Sequence, residues 1–209
     1  MNTFKFTTII TAGGTSSRFG ANKLLEKLGD KTVIETVVEK FLPYSLEIVI
    51  PAGDDIQEFL ARKYDKVRFA PAGRTRQESV FNALKVCSNP DFVLIHDGAR
   101  PFIDKETICA TISAVVDKKA VVVCAPAIDT IKIVDEFGKI KNTTKREATY
   151  HAQTPQAFDF SLIYKVHQSL EAQGNFTDDA SMLEALGEDV YIVQGSHKNK
   201  KITFREDLD

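Results

Sequence analysis

The chain has 209 residues, 43% of them hydrophobic and 27% charged, a balance that suits a globular protein with a sizeable core and excludes a disordered chain as the default. Lys and Arg total 27 against 29 Asp and Glu, so a formal charge of -2 offers no global attraction to nucleic acid or an acidic membrane surface, and any anion site must be local. No window approaches the roughly 18 consecutive apolar residues of a membrane span, and Cys87, Cys109 and Cys124 lie far apart in apolar stretches, the pattern of buried free thiols in a reducing, cytoplasmic setting.

The opening FKFTTIITAGG has too short an apolar run for a signal segment and leads into a glycine turn, so Thr7 to Thr11 is predicted as the first strand. Further apolar runs predict strands at Glu47 to Pro51, Lys66 to Ala70, Phe92 to His96 and Ala120 to Pro126. Between them, TVIETVVEKFL, DDIQEFLARKY, RQESVFNALKV and DKETICATISAVV repeat apolar residues at three- and four-residue intervals, as helices covering a sheet do. Asp54, Asp104 and Asp159 are N-cap candidates. The alternation predicts an α/β fold with a wound, mostly parallel sheet.

Thr130 to Arg146 breaks this rhythm by alternating apolar and polar residues around a turn at Asp135 to Gly138, which predicts a β-hairpin. A two-stranded arm is marginal alone, so it is expected to pack on a second subunit. Helices follow at Asp159 to Gln173 and Asp178 to Leu186, then strands in DVYIVQG and KKITF. With no repeat, low-complexity tract or linker, the expected organisation is a single domain over 1–209 carrying a dimerisation arm around 130–150.

Three segments carry candidate chemistry. Thr11 to Lys23, TAGGTSSRFGANK, follows the first strand: glycines there let backbone amides approach phosphate oxygens, and Arg18 and Lys23 add charge. The segment matches neither a Walker A loop nor the G-x-G-x-x-G of dinucleotide binders, and from its glycines alone an ordinary turn would account for it as well. His96 to Pro101, HDGARP, places Asp97 at the end of the most apolar strand, where a hard carboxylate oxygen suits Mg²⁺ or, alternatively, caps a turn. Ala72 to Val80, AGRTRQESV, is a second glycine turn before a helix, with Ser79 able to recognise a base or to make local backbone contacts. The four histidines share no metal-ligand spacing.

Taken in order, AGGTSSRFGANK, AGRTRQESV, HDGARP, APAIDTIK, HAQTPQAF, FTDDAS and NKKITF resemble the 2-C-methyl-D-erythritol 4-phosphate cytidylyltransferase family of the non-mevalonate isoprenoid pathway, from about Ile9 to Leu208. Ribitol-5-phosphate cytidylyltransferases share much of the series, but TDDAS and HAQTPQAF fit the former better. The resemblance implies a Rossmann-like sheet of the nucleotide-diphospho-sugar transferase type, CTP and a sugar-alcohol phosphate as substrates, Mg²⁺ as cofactor, and a homodimer. It implies that Ala12, Gly13 and Gly14 hold CTP through their backbone, that Arg18 and Lys23 neutralise the triphosphate and transition state, and that Gly73 and Ser79 surround cytosine and ribose. Asp97 would take Mg²⁺ beside the α-phosphate. Arg146 and Thr154 would reach the acceptor in the neighbouring subunit, while Thr177 and Lys201 would bind it from the home subunit.

Departures from the family pattern are Arg74, where relatives carry an acidic or small residue, the short gap between Arg18 and Lys23, and the ending REDLD, where relatives continue into a helix. A non-catalytic nucleotide sensor is the alternative from another functional class.

Overall fold

A computed structural model describes residues 4–13, 22–173 and 176–208. Among them the strands are β1 (Phe6–Thr11), β2 (Lys27–Leu28), β3 (Lys31–Thr32), β4 (Glu47–Ala52), β5 (Val67–Pro71), β6 (Phe92–Asp97), β7 (Ala120–Pro126), β8 (Lys132–Val134), β9 (Ile140–Thr143), β10 (Tyr150–Asp159) and β11 (Tyr191–Gln194). The helices are α1 (Val33–Phe41), α2 (Asp54–Leu60), α3 (Arg76–Val86), α4 (Lys105–Lys118), α5 (Phe160–Ser169) and α6 (Asp179–Ala185).

The main sheet runs β11-β7-β10-β6-β1-β4-β5, with β10 antiparallel to both neighbours and the other pairings parallel. Because side chains alternate along a strand, each central strand feeds two cores. Ile10, Ile48, Ile50 and Leu94 join Ile34, Val37, Ile56 and Val115 on one face. Ile9, Val49, Val93 and Ile95 join Val80, Leu84, Ile163 and Met182 on the other. Helices therefore cover both faces of a wound sheet, as the alternating pattern predicts.

Local chemistry sets the helix ends. Thr32 and Glu35 form a reciprocal capping box at α1, and Asp104 and Asp159 accept the amides of Thr107 and Leu162 as N-caps of α4 and α5. Asp54 differs from expectation: Gly53 is the N-cap of α2, and Asp54 lies inside the first turn, where its charge still complements the helix dipole. Cys109 also differs. It is exposed, because α4 buries the face carrying Thr107, Ile108, Thr111 and Val115, and Cys109 points off that face; Cys124 is buried and Cys87 half-buried.

The hairpin of β8 and β9 forms as expected, with Gly138 at φ 79° and the Asp135 carboxylate accepting the amides of Phe137 and Lys139. Ile133, Val134, Phe137 and Ile140 on it are exposed.

Two segments depart from the sequence reading. HAQTPQAF lies in β10, in mid-sheet, although Pro155 lacks a ladder N–H; the register with β7 shifts between Ala152 and Gln156. KKITF forms no strand. Ile202 donates to Ala99 O at 2.8 Å and its side chain is fully buried, while the Thr203 amide goes to the Asp207 carboxylate, so the segment is held as a plug without a ladder. No helix among the described residues is long and apolar enough to cross a membrane.

Candidate active site

After β1 the chain winds outward through β4 and β5, then returns to lay β6 on the other side of β1. This reversal opens a crevice beyond the strands' carboxyl ends, the usual ligand position in such sheets. Thr11 and Asp97 are register partners there. The two strand ends stay close because Gly98 N donates to Thr11 O at 3.0 Å, and a Cβ on Gly98 would lie 2.9 Å from that oxygen.

Asp97 is 7% exposed and surrounded by cations. Lys201 Nζ lies 2.9 Å and Arg100 Nε 3.4 Å from Oδ2, while Arg76 Nε stands 3.7 Å from Oδ1. Burial pushes this carboxyl's pKa upward, but Lys201, Arg76 and Arg100 outweigh burial and hold it well below the usual carboxylate range. Asp97 is therefore a fixed anion.

The second glycine turn is a tight fold around Ser79. Its Oγ accepts from Gly73 N at 3.0 Å and donates to Thr75 O at 2.9 Å, while the Thr75 hydroxyl caps α3 by accepting from Glu78 N. A Cβ on Gly73 would meet Ser79 N at 2.5 Å and Glu78 Cβ at 2.6 Å, so only glycine fits. Ser79 thus shapes the entry of α3 and backs against Gly13.

These elements enclose a hollow of about 370 Å³, lined by Thr11, Ala12, Gly13 and Lys23, by Arg74, Thr75, Arg76 and Ser79, and by Asp97, Gly98, Ala99 and Lys201. Among the described residues, four cationic side chains face one carboxylate, so the hollow suits a polyanion. Lys23 Nζ donates to Ile202 O at 2.9 Å, which ties the first loop to the buried plug. Gly73 stands outside the lining, and Arg74 lies at the rim with its amide bonded to Glu78. Gly14 and Arg18 lie outside the described residues.

A second hollow, of about 270 Å³, adjoins it and holds Thr154, Thr177, Asp178, Gln153, Gln156 and Arg100. Arg76, Asp97 and Lys201 line both hollows. Thr154, which the resemblance assigns a cross-subunit contact, lies beside Asp97 in its own chain: β10 runs beside β6, so its hydroxyl accepts from Asp97 N at 3.0 Å and lies 3.1 Å from His96 Nδ1. Burial lowers the pKa of His96 to about 4, leaving it neutral near pH 7 as a brace for Thr154 and for Arg100 O. Arg146 is the site residue that stands apart; it is exposed at the base of the arm and donates to Thr130 Oγ1 at 3.2 Å.

Arg76 was missed in the sequence. Its signal was a cation in the first turn of a helix, a position the helix dipole disfavours and which therefore needs a local anion.

The family model described as IspD, 2-C-methyl-D-erythritol 4-phosphate cytidylyltransferase, matches residues 6–209. The chain belongs to this family. It is 38% identical to the 2-C-methyl-D-erythritol 4-phosphate cytidylyltransferase of Clostridioides difficile, over 97% of this chain and 90% of that protein. Identity to the Aquifex aeolicus enzyme of the same name is 39%, over 98% and 94%. Its fold is similar to the crystal structure of 4-diphosphocytidyl-2C-methyl-D-erythritol synthase from Anaerococcus prevotii, with a TM-score of 0.87, 32% identity, and 98% and 95% of the two chains covered. The Francisella tularensis cytidylyltransferase structure aligns with a TM-score of 0.85 at 29% identity, over 98% and 96%. Membership of this family makes the chain a nucleotidyltransferase, in keeping with paired hollows that meet at fixed cations.

Proposed function

We propose that the protein transfers CMP from CTP to 2-C-methyl-D-erythritol 4-phosphate, giving 4-diphosphocytidyl-2-C-methyl-D-erythritol and pyrophosphate, as a step in isoprenoid precursor synthesis. The observation that carries this reading is the wall of Arg76, Asp97 and Lys201 shared by the two hollows. It lets two anionic substrates meet at a point already lined with positive charge.

In this reading the larger hollow takes CTP and the smaller one the acceptor. A phosphate oxygen of the acceptor attacks the α-phosphorus in line; the new P–O bond forms as the bond to the β-phosphate oxygen breaks, and pyrophosphate leaves. The nucleophile is already an anion, so no general base is required, and catalysis is orientation plus charge stabilisation. Lys23 and Arg18 stabilise the triphosphate; Lys201, with Thr177 beside it, orients the acceptor.

Asp97 fits a role in holding Mg²⁺. Its Oδ2 is taken by Lys201 and Arg100, whereas Oδ1 has long contacts of 3.4 Å to Thr11 Oγ1 and 3.7 Å to Arg76 Nε and retains lone-pair capacity. Among the described residues no cluster of three or more His, Cys, Asp or Glu forms a protein-only cage, which suits a cation held by one carboxylate and substrate phosphates. Bound there, Mg²⁺ would offset charge on the α-phosphate and leaving group.

The reading further takes the chain as one catalytic domain that works as a cytoplasmic homodimer joined through the arm. Exposed apolar residues on β8 and β9 give that arm a reason to be covered, and the free thiol of Cys109 suits a reducing compartment.

The test is pyrophosphate release with CTP and Mg²⁺, in parallel with 2-C-methyl-D-erythritol 4-phosphate, ribitol 5-phosphate or no acceptor. Release that depends on the first acceptor is expected. Preference for ribitol 5-phosphate would reassign the acceptor, and CTP binding without release would make the protein a sensor.

A further inference from the structure

We propose that Arg76 is a phosphate-contacting residue at the seam of the two hollows, aimed by a buried Asp179 and His167; the inference deepens the transfer reading above and rests on it. Asp179 is fully buried in the first turn of α6, with Oδ2 in ionic contact with Arg76 Nη1 at 2.7 Å and Oδ1 at 3.2 Å from His167 Nε2. The amides of Asp179 and Ala180 both donate to Gln156 Oε1 on β10, which fixes the carboxylate's place. One end of the guanidinium is thus clamped.

The other end is not. Nε has the long 3.7 Å contact to Asp97, and Nη2 makes no hydrogen bond or ion pair with any of the described residues. The side chain stays 30% exposed and lines both hollows, unlike a guanidinium serving the core. The energetics point the same way. Burying a carboxylate is costly, and an apolar pair of similar volume is usually at least as stabilising, so an ion pair in this place is better explained by the position it enforces. A planar guanidinium can keep Asp179 on one edge and offer the other to a phosphate oxygen, which a lysine cannot do as well. Arg76 also begins α3, whose N-terminal amides add positive potential there. The expected ligand is the acceptor's phosphate group as it approaches the α-phosphate of CTP.

The experiment compares kcat and the KM of each substrate for wild type, Arg76→Lys, Asp179→Asn and the double variant Arg76→Ala/Asp179→Asn, with circular dichroism and thermal melts on each. The double variant removes both charges, so it avoids an unpaired buried carboxylate. Its kcat/KM for the acceptor should fall roughly 100-fold or more, on the scale of a lost preorganised charge contact, with KM for the acceptor rising more than KM for CTP. Asp179→Asn should lose about tenfold through misaimed Arg76, and Arg76→Lys should recover part of the double variant's loss. Folded variants with acceptor kinetics within about twofold of wild type would overturn the inference while leaving the transfer reading intact. Loss of the fold in all three would assign the pair to the scaffold and also overturn it. A wild type that releases no pyrophosphate would remove the transfer reading and this inference together.

Discussion

Lys201 Nζ and Asp97 Oδ2 lie 2.9 Å apart although 104 residues separate them in the chain. Asp97 is held at the end of β6, and Lys201 reaches it because the next residue, Ile202, is buried against Ala99. The charge pair therefore depends on a plug made by the carboxyl-terminal segment. Lys201→Ala should lower kcat/KM for the acceptor by roughly 100-fold while the melting temperature changes little, because Arg76 and Arg100 still pair Asp97 and Lys201 is substantially exposed. Steady-state kinetics alongside a thermal melt would show this; unaltered kinetics would take Lys201 out of the site.

Arg146 offers a test of the arm. Its guanidinium stands outside both hollows of its own chain, so on the proposed dimeric reading it meets the acceptor bound to another subunit. Under the proposed dimer, the Arg146→Ala and Lys23→Ala proteins should each be nearly inactive. Mixed and allowed to exchange, they should regain about a quarter of wild-type activity, since each heterodimer has one intact site and half the dimers are heterodimers. Absence of recovery, with exchange verified by mass, would place a complete site within one chain.

Gly73→Ala should disturb the turn more than its single methyl group suggests. The added carbon would stand 2.5 Å from Ser79 N and 2.6 Å from Glu78 Cβ, neither at the end of a flexible side chain. A shift of the turn costs about 1–3 kcal/mol and moves Thr75 and Arg76, which line the larger hollow. Denaturant melts and CTP titration should both register the change, and normal CTP affinity would separate Gly73 from the nucleotide site.

Acid sensitivity has a traceable contributor at Glu35, away from the site. Burial pushes its carboxyl upward, but the Lys63 ammonium together with the Thr32 amide and hydroxyl outweighs burial and lowers its pKa from 4.5 to about 2. A depressed folded-state pKa adds stability that is complete above the unfolded value of 4.5 and is lost as the pH falls toward about 2. Wild type should therefore exceed Glu35→Gln by about 1–2 kcal/mol near neutrality, a figure reduced for solvent screening around the exposed Lys63, and the gap should close with acidification. A gap that does not vary with pH would assign the effect to packing or capping.

Strands β1 and β4 to β7, most of the helices and the arm were legible because their signals are local: alternation, three- and four-residue periodicity, and capping side chains. β10 was not, since a proline and several polar residues argue against a central strand. It is acceptable only because Gln153, Thr154 and Gln156 find partners on distant segments, at Ser196 O, Asp97 N and Asp178 Oδ2. KKITF failed in the opposite direction: its alternation suggested a strand, but among the described residues no strand pairs with it.

The residues themselves determined the wound α/β class, the glycine turns and the family, since each is written in short stretches whose order is visible along the chain. Tertiary structure alone decided which charges converge, that Thr154 sits against Asp97, and that Arg76 bridges Asp97 and the buried Asp179. The physical reason is that electrostatic function depends on distances of a few ångströms between side chains far apart in sequence, and those distances exist only once sheet order and the buried plug have brought the segments together.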